Sequence, residues 1–338
     1  METTVTLSQA RTLIQTLASD QSILLLSPPG VGKSEVISQA AQDSGLPLRS
    51  LLGTQIAPED VSGIPRIVGE RSVFCPPRVL LPENPEPFCL FLDELPATSP
   101  DVQKAFYSLL LERRLGEHSL PQGTWVVAAG NRTEDRALVR SMSSALVNRV
   151  CILNVRVDTK EWLLWAQENE IRPEIIAFIL FMPEALARPV PSAPVPFSTP
   201  RSWTLLSRAL DRVESEGLLR PEILAALAFG RVTASDAAVF CAMTDQSITD
   251  LRPVVDYLKA PSILPQQDTA RWFILNRIRI LVATDQFPDL PPQTVHKFLM
   301  AVPEEHRFSL FVGLVEKWGK LGADEAMLAS LREAVGLP

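Results

Sequence analysis

The chain lacks any long apolar run. Nowhere in its 338 residues does an uninterrupted hydrophobic stretch approach the ~20 residues that cross a bilayer, so no membrane span is expected. Its first residues, METTVTLSQAR, lack the basic segment and following apolar core of a secretory signal. Cysteine is scarce. Cys75, Cys89, Cys151 and Cys241 have no metal-ligand spacing, and three of them flank or enter apolar runs, which reads as reduced, buried thiols in a cytoplasmic protein. The three histidines, His118, His296 and His306, have no clustered acid or cysteine partner and read as structural or exposed. Positive charge is not in excess either. Net charge is −7 and the pI about 5.2, with no basic stripe interleaved with aromatics. Nucleic acid is therefore disfavoured as the main ligand.

What remains is the composition of a globular protein: 46% hydrophobic and 21% charged, enough chain for one or two domains with an ample core. There is no internal repeat and no low-complexity tract.

The organising stretch is Ser22 to Ser44, SILLLSPPGVGKSEVISQAAQDS. Ile23 to Leu26 is wholly apolar without alternation, as in a strand buried on both faces of a parallel sheet. The chain then turns through Pro28, Pro29 and Gly30 and opens a helix at Gly32-Lys33-Ser34, with Val36, Ile37, Ala40 and Ala41 on one face. A helix N-terminus presents unpaired N–H groups and partial positive charge to whatever lies in the loop. Gly30 and Gly32 let the main chain approach phosphate oxygens, Lys33 would reach the β- and γ-phosphates, and the Ser34 hydroxyl would join a Mg²⁺ shell. Pro28 to Ser34, Val31 included, is the candidate ATP-binding loop. The usual pattern begins with glycine, whereas this chain has Ser27, where a positive φ would carry a steric cost.

Further strands are expected at Leu48–Leu52, Phe88–Leu92, Trp125–Ala129 and Val150–Val155, with a small hairpin from Ile64–Val68 and Arg71–Cys75. Strands alternating with helices predict a mainly parallel α/β sheet. A helix over the first 20 residues is expected on Ala10, Leu13, Ile14 and Leu17. From Asp158 the periodicity is helical, beginning with a capping box formed by Asp158 and Glu161. Residues 183–200 are proline-dense and read as a stiff connector. Later helices are expected near Pro221–Phe229, Ser235–Ala242, Asp268–Ala283, Arg307–Leu321 and Asp324–Val335.

The third strand runs into Asp93-Glu94. Acids at that position suit metal work: Asp93 to hold Mg²⁺ and Glu94 to act as general base on water. A helix start decorated with acids would look the same. Asn131 ends the next strand, where an amide can donate to a γ-phosphate, although asparagine is also an ordinary loop residue. Arg149 precedes the fifth strand, positioned either to neutralise charge on a neighbouring subunit's γ-phosphate or simply to face water. Arg201 stands in the first turn of a helix, where the dipole disfavours a cation unless an anion is near.

SPPGVGKS, CLFLDE, AAGNR, ALVNRV and FSTPRSW occur in that order, and the set resembles MoxR-type AAA+ ATPases from about Leu24 to Arg208. The resemblance implies a P-loop AAA+ five-stranded parallel αβα core over 1–157, with a hairpin insertion at about 63–77 projecting toward a ring's face or pore. An all-α lid over 158–230 and a C-terminal helical region over 231–338 would follow. It makes Lys33 and Ser34 part of Walker A, Asp93 and Glu94 Walker B, Asn131 sensor 1, Arg149 an arginine finger acting in trans, and Arg201 sensor 2. It implies ATP and Mg²⁺ as cofactors, a homo-oligomeric ring commonly of six subunits, and chaperone-like remodelling of a protein client, often with a von Willebrand factor A domain partner. A nucleotide-gated scaffold with little turnover, or a DNA-associated AAA+ loader, are the alternative functions.

Overall fold

A strand that is apolar at every position needs cover on both faces, and the sheet of this protein has it. The computed structural model describes residues 3–78, 80–81, 85–132, 142–245, 251–311 and 313–323. The strands are β1 (Thr4–Val5), β2 (Ser22–Leu26), β3 (Leu48–Leu52), β4 (Ile64–Val68), β5 (Arg71–Cys75), β6 (Cys89–Asp93), β7 (Arg114–Leu115), β8 (His118–Ser119), β9 (Trp125–Gly130) and β10 (Val150–Val155). Six of them form one sheet in the order β1-β10-β2-β9-β6-β3, parallel throughout. The expected count of five is corrected to six. The extra edge strand, Thr4–Val5, is two residues long, too short to leave a periodic signature.

The helices of this part are α1 (Leu7–Leu17), α2 (Lys33–Asp43), α3 (Pro58–Ser62), α4 (Pro100–Ala105), α5 (Tyr107–Glu112), α6 (Ser144–Val147) and α7 (Thr159–Glu168). Alternate strand residues feed two cores, as a period of two requires. Ile23, Leu25, Phe91, Val127 and Ala129 pack with Ala10, Ile14, Val36, Ile37 and Ala40. Leu24, Leu90, Leu92, Val126 and Ala128 pack with Phe106, Leu109 and Leu110. β4 and β5 pair as a separate antiparallel hairpin with Ile64 and Ile67 largely exposed. At the start of α7 the expected capping box is only half formed. Asp158 accepts from the Lys160 and Glu161 amides, but Glu161 accepts instead from the Thr6 hydroxyl at 2.6 Å and the Ser8 amide at 3.2 Å. A partner 155 residues away in sequence takes the carboxylate that local spacing assigned to the cap.

The chain divides into two compact units. The first comprises 1–169, 185–206 and 231–233, and the second 170–184, 207–230 and 234–338. The second is helical: α8 (Pro173–Phe181), the end of α9 (Pro200–Ser215), α10 (Pro221–Phe229), α11 (Ala234–Asp245), α12 (Val254–Lys259), α13 (Asp268–Ala283), α14 (Pro292–Ala301), α15 (Glu304–Phe311) and α16 (Val315–Lys320). Arg172 is held there by Glu174, Asp211 and Glu214, and buried Arg277 pairs with Glu184. The helix expected over Arg307–Leu321 is two helices, separated near Gly313 at φ 72°. The helix expected over Asp324–Val335 lies outside the described residues. No described helix is long and apolar enough to cross a membrane.

Gly130 ends β9 against the ring of Pro96, and a Cβ there would collide with Pro96 Cδ and Cγ. Gly130→Ala should therefore destabilise the protein by about 1–3 kcal/mol. A urea midpoint unchanged from wild type would show that the packing at this strand end is looser than described.

Candidate functional site

Parallel strands deliver their carboxyl ends to one edge, and ligands of open α/β sheets bind beside those ends. β2 runs into the loop at Ser27, β3 into Gly53-Thr54, β6 into Glu94 and β9 into Asn131. The register makes these neighbours: Leu26 pairs with Gly130, Leu92 with Ala128, and Leu52 with Asp93.

The loop has the conformation its glycines permit. Gly30 takes φ 77° and Gly32, the N-cap of α2, takes φ 116°. A Cβ on Gly30 would lie 2.6 Å from Thr199 Oγ1. Ser27 is not among the residues at positive φ, so the steric cost expected from replacing glycine does not arise. Pro28, Pro29 and Ser34 are half-buried, Gly30 and Val31 buried. Lys33, the first residue of α2, is 8% exposed. Its Nζ donates to Ser27 Oγ at 2.9 Å, Ser27 O at 3.1 Å, Pro28 O at 3.2 Å and Asn131 Oδ1 at 3.2 Å. Lysine 33 and asparagine 131, 98 residues apart in sequence, thus meet directly.

Asp93 and Glu94 stand on the same edge. Asp93 Oδ1 accepts from the Glu94 amide at 3.0 Å. Burial pushes the Asp93 carboxyl above its ordinary 3.8; the Glu94 amide opposes this, the Glu94 charge adds to it, and the cations Lys33 and Arg201 oppose it. That Asp93 feels both cations brings these three groups into one electrostatic neighbourhood. Glu94 has a left-handed backbone, φ 56° and ψ 32°, a conformation that costs an L-residue roughly 1–2 kcal/mol. Strain of this kind persists where the surroundings over-determine it. Its carboxylate accepts from Thr54 Oγ1 at 2.9 Å. Sequence reading missed Thr54, and no spacing marks it, because its position beside Glu94 follows only from the β3–β6 register.

Arg201 lies in the first turn of α9. Its amide donates to Gly30 O at 3.0 Å, and its side chain is exposed. Thr199, buried, accepts from the Ser202 amide at 3.0 Å and so caps this helix against the phosphate loop.

Arg149 is not gathered in. It precedes Val150, which pairs with Ser22 at the amino end of β2, so the length of that strand, about 13 Å, separates it from the loop. Its Nη1 donates to Ala145 O at 2.7 Å and its guanidinium lies 4.8 Å from the Tyr107 ring centroid. Its Nε is buried without a hydrogen-bond partner among the described residues.

The residues fit a magnesium polyphosphate. Ser34 and Asp93 offer the hard oxygen donors that Mg²⁺ prefers, and no group of three or more His, Cys, Asp or Glu side chains among the described residues forms an all-protein cage. Mg²⁺ in phosphate sites uses one or two side chains and completes its shell from phosphate and water.

Residues 22–150 match the family model described as "AAA domain (dynein-related subfamily)". No match was found among curated proteins. Among solved structures, the chain is similar to the RuvB Holliday junction branch migration motor of Thermotoga maritima, at 14% identity and TM-score 0.40, covering 87% of this chain and 80% of that one. It is also similar to NtrX from Brucella abortus, at 14% identity and TM-score 0.42, covering 99% and 69% respectively. Neither likeness bears on function.

Because burial raises the Asp93 pKa, ionising this carboxylate opposes folding, and the loss grows as pH rises above 3.8 through the raised value. Asp93→Asn should melt at a higher temperature than wild type at pH 7, with the gap closing as pH approaches 4. A variant less stable than wild type at pH 7 would mean that attraction to Lys33 and Arg201 outweighs desolvation. Residues 22–150 have the fold and the sequence signature of an AAA domain.

Proposed function

We propose that this chain is a Mg²⁺-dependent ATPase that assembles into a ring, of six subunits as in MoxR-type proteins, and uses hydrolysis to remodel or mature a partner protein complex. The observation that carries the reading is the meeting of Lys33 Nζ with Asn131 Oδ1 at 3.2 Å, beside an aspartate that senses both Lys33 and Arg201.

In this reading the amides of Gly30 to Ser34 and the Lys33 ammonium bind the β- and γ-phosphates. Ser34 and Asp93 hold Mg²⁺, which when bound neutralises phosphate charge during transfer. Glu94 takes a proton from the attacking water, and Thr54 orients its carboxylate. The Asn131 amide group, whose oxygen already faces Lys33, presents its nitrogen to the γ-phosphate or the water. Arg201 approaches the phosphates from α9. Arg149, a strand's length from its own loop, serves the site of a neighbouring subunit. ATP thus draws α9 and an adjacent subunit toward one γ-phosphate, and loss of that phosphate releases both, which supplies the motion for remodelling. A von Willebrand factor A domain protein is the partner type that the MoxR resemblance favours.

The second reading, a nucleotide-gated scaffold with little turnover, draws on Ser27 in place of the usual glycine and on the long C-terminal helical region. A DNA-associated loader is disfavoured by a net charge of −7.

Lys33→Ala should abolish ATP binding in calorimetry, and unchanged affinity would contradict the assignment. Glu94→Gln should bind ATP while hydrolysis falls by roughly 10²–10⁴-fold; a chain whose cellular role survives that loss is a scaffold. Arg149→Ala should spare binding but lower turnover by roughly 10³-fold, and adding Glu94→Gln subunits, which carry Arg149, should restore hydrolysis at mixed sites. A monomer with full turnover would refute action in trans.

A further inference from the structure

Ser27 stands where phosphate loops usually carry glycine, and its side chain is engaged. The residue is wholly buried. Its hydroxyl donates to Pro28 O at 2.9 Å and accepts from Lys33 Nζ at 2.9 Å, the shortest of the four hydrogen bonds described above for this ammonium. An ammonium has three N–H groups, and four neutral oxygens already share them.

We propose that the Ser27 hydroxyl is a built-in competitor of polyphosphate for Lys33, and that it sets the site to a weaker affinity than the glycine form would have. The proposal rests on the reading of this loop as an ATP site. When β- and γ-phosphate oxygens take two of the three ammonium protons, one remains for the loop. Ser27 O and Pro28 O are main-chain acceptors present whatever residue stands at 27. The hydroxyl oxygen is the acceptor that this chain adds. Its own proton is committed to Pro28 O, so it presents lone pairs to Lys33 and does not turn to donate to phosphate without breaking that bond. A buried acceptor that loses its donor is penalised, and this penalty is charged only to the ligand-bound form. Ser27 is therefore a positioning residue: it holds the lysine and touches the nucleotide only through it. The departure from glycine acts through competition and not through backbone strain, since Ser27 does not take positive φ.

The test is calorimetric titration of the full chain with Mg-ATP and, separately, with inorganic tripolyphosphate. Ser27→Ala should tighten both by roughly tenfold to a hundredfold, the range for one hydrogen bond to a charged group. Ser27→Gly, which also removes the hydroxyl, should move affinity in the same direction and serves if the alanine variant folds poorly. Unchanged or weaker binding by both hydroxyl-free variants would overturn the proposal while leaving the ATP site in place. A gain for ATP but not for tripolyphosphate would overturn it too, because the effect would then lie outside the lysine–phosphate contact. Failure of wild type and variants alike to bind either ligand would remove the ATP reading itself.

Discussion

A lysine ammonium almost out of water, hydrogen-bonded to neutral oxygens on two segments of chain, is the interaction on which the rest depends. Lys33 is 8% exposed and bonds to Ser27, Pro28 and Asn131. Burying a charge is expensive unless it is well hydrogen-bonded, and these partners come together only because β2 and β9 pair in parallel, Leu26 beside Gly130. The same register brings Asp93 and Thr54 to neighbouring strand ends. The sheet is what turns residues scattered over a hundred positions into one polar cluster. The helix behind Gly32 and the first turn of α9 complete it, the latter through the Arg201 amide on Gly30 O and Thr199 against the glycine's bare Cα.

Much of this was legible beforehand, for a physical reason. A strand buried on both faces is written as a continuous apolar run, so Ile23–Leu26, Phe88–Leu92 and Trp125–Ala129 announce themselves, and the first polar residues after each run fall at the sheet edge. Asp93 and Asn131 stand out in that way, and Lys33 stands out through the Gly-Lys-Ser that opens the helix after the first run. What was not legible depended on pairing across the fold. Thr54 meets Glu94 through register alone. Glu161 abandons its cap for the Thr6 hydroxyl because a strand of two residues brings that hydroxyl near. Ser27 illustrates a different limit. Sequence supplied the departure from glycine, but only the backbone angle and the bond from Lys33 say that its consequence is hydrogen-bonding competition.

The edge that carries the Ser27–Ser34 loop and the edge that carries Arg149 are opposite ends of the same strands. This polarity is what makes hydrolysis a property of neighbours in the proposed ring: a loop at the carboxyl end of β2, and an arginine beside its amino end, held on Tyr107 and Ala145. The second unit is helical, as the periodicity after Asp158 leads one to expect. Its buried Arg277–Glu184 pair and the Arg172 cluster explain its cohesion.

The most direct test of a single phosphate site built from these segments is hydrogen–deuterium exchange of the full chain with and without saturating Mg-ATP. The expected result is slowed exchange of the amides at 30–34 and of the first turn of α9, 201–203, with the same dependence on nucleotide concentration. Nucleotide binding that leaves both segments unchanged, or that protects only residues of the helical second unit, would contradict it.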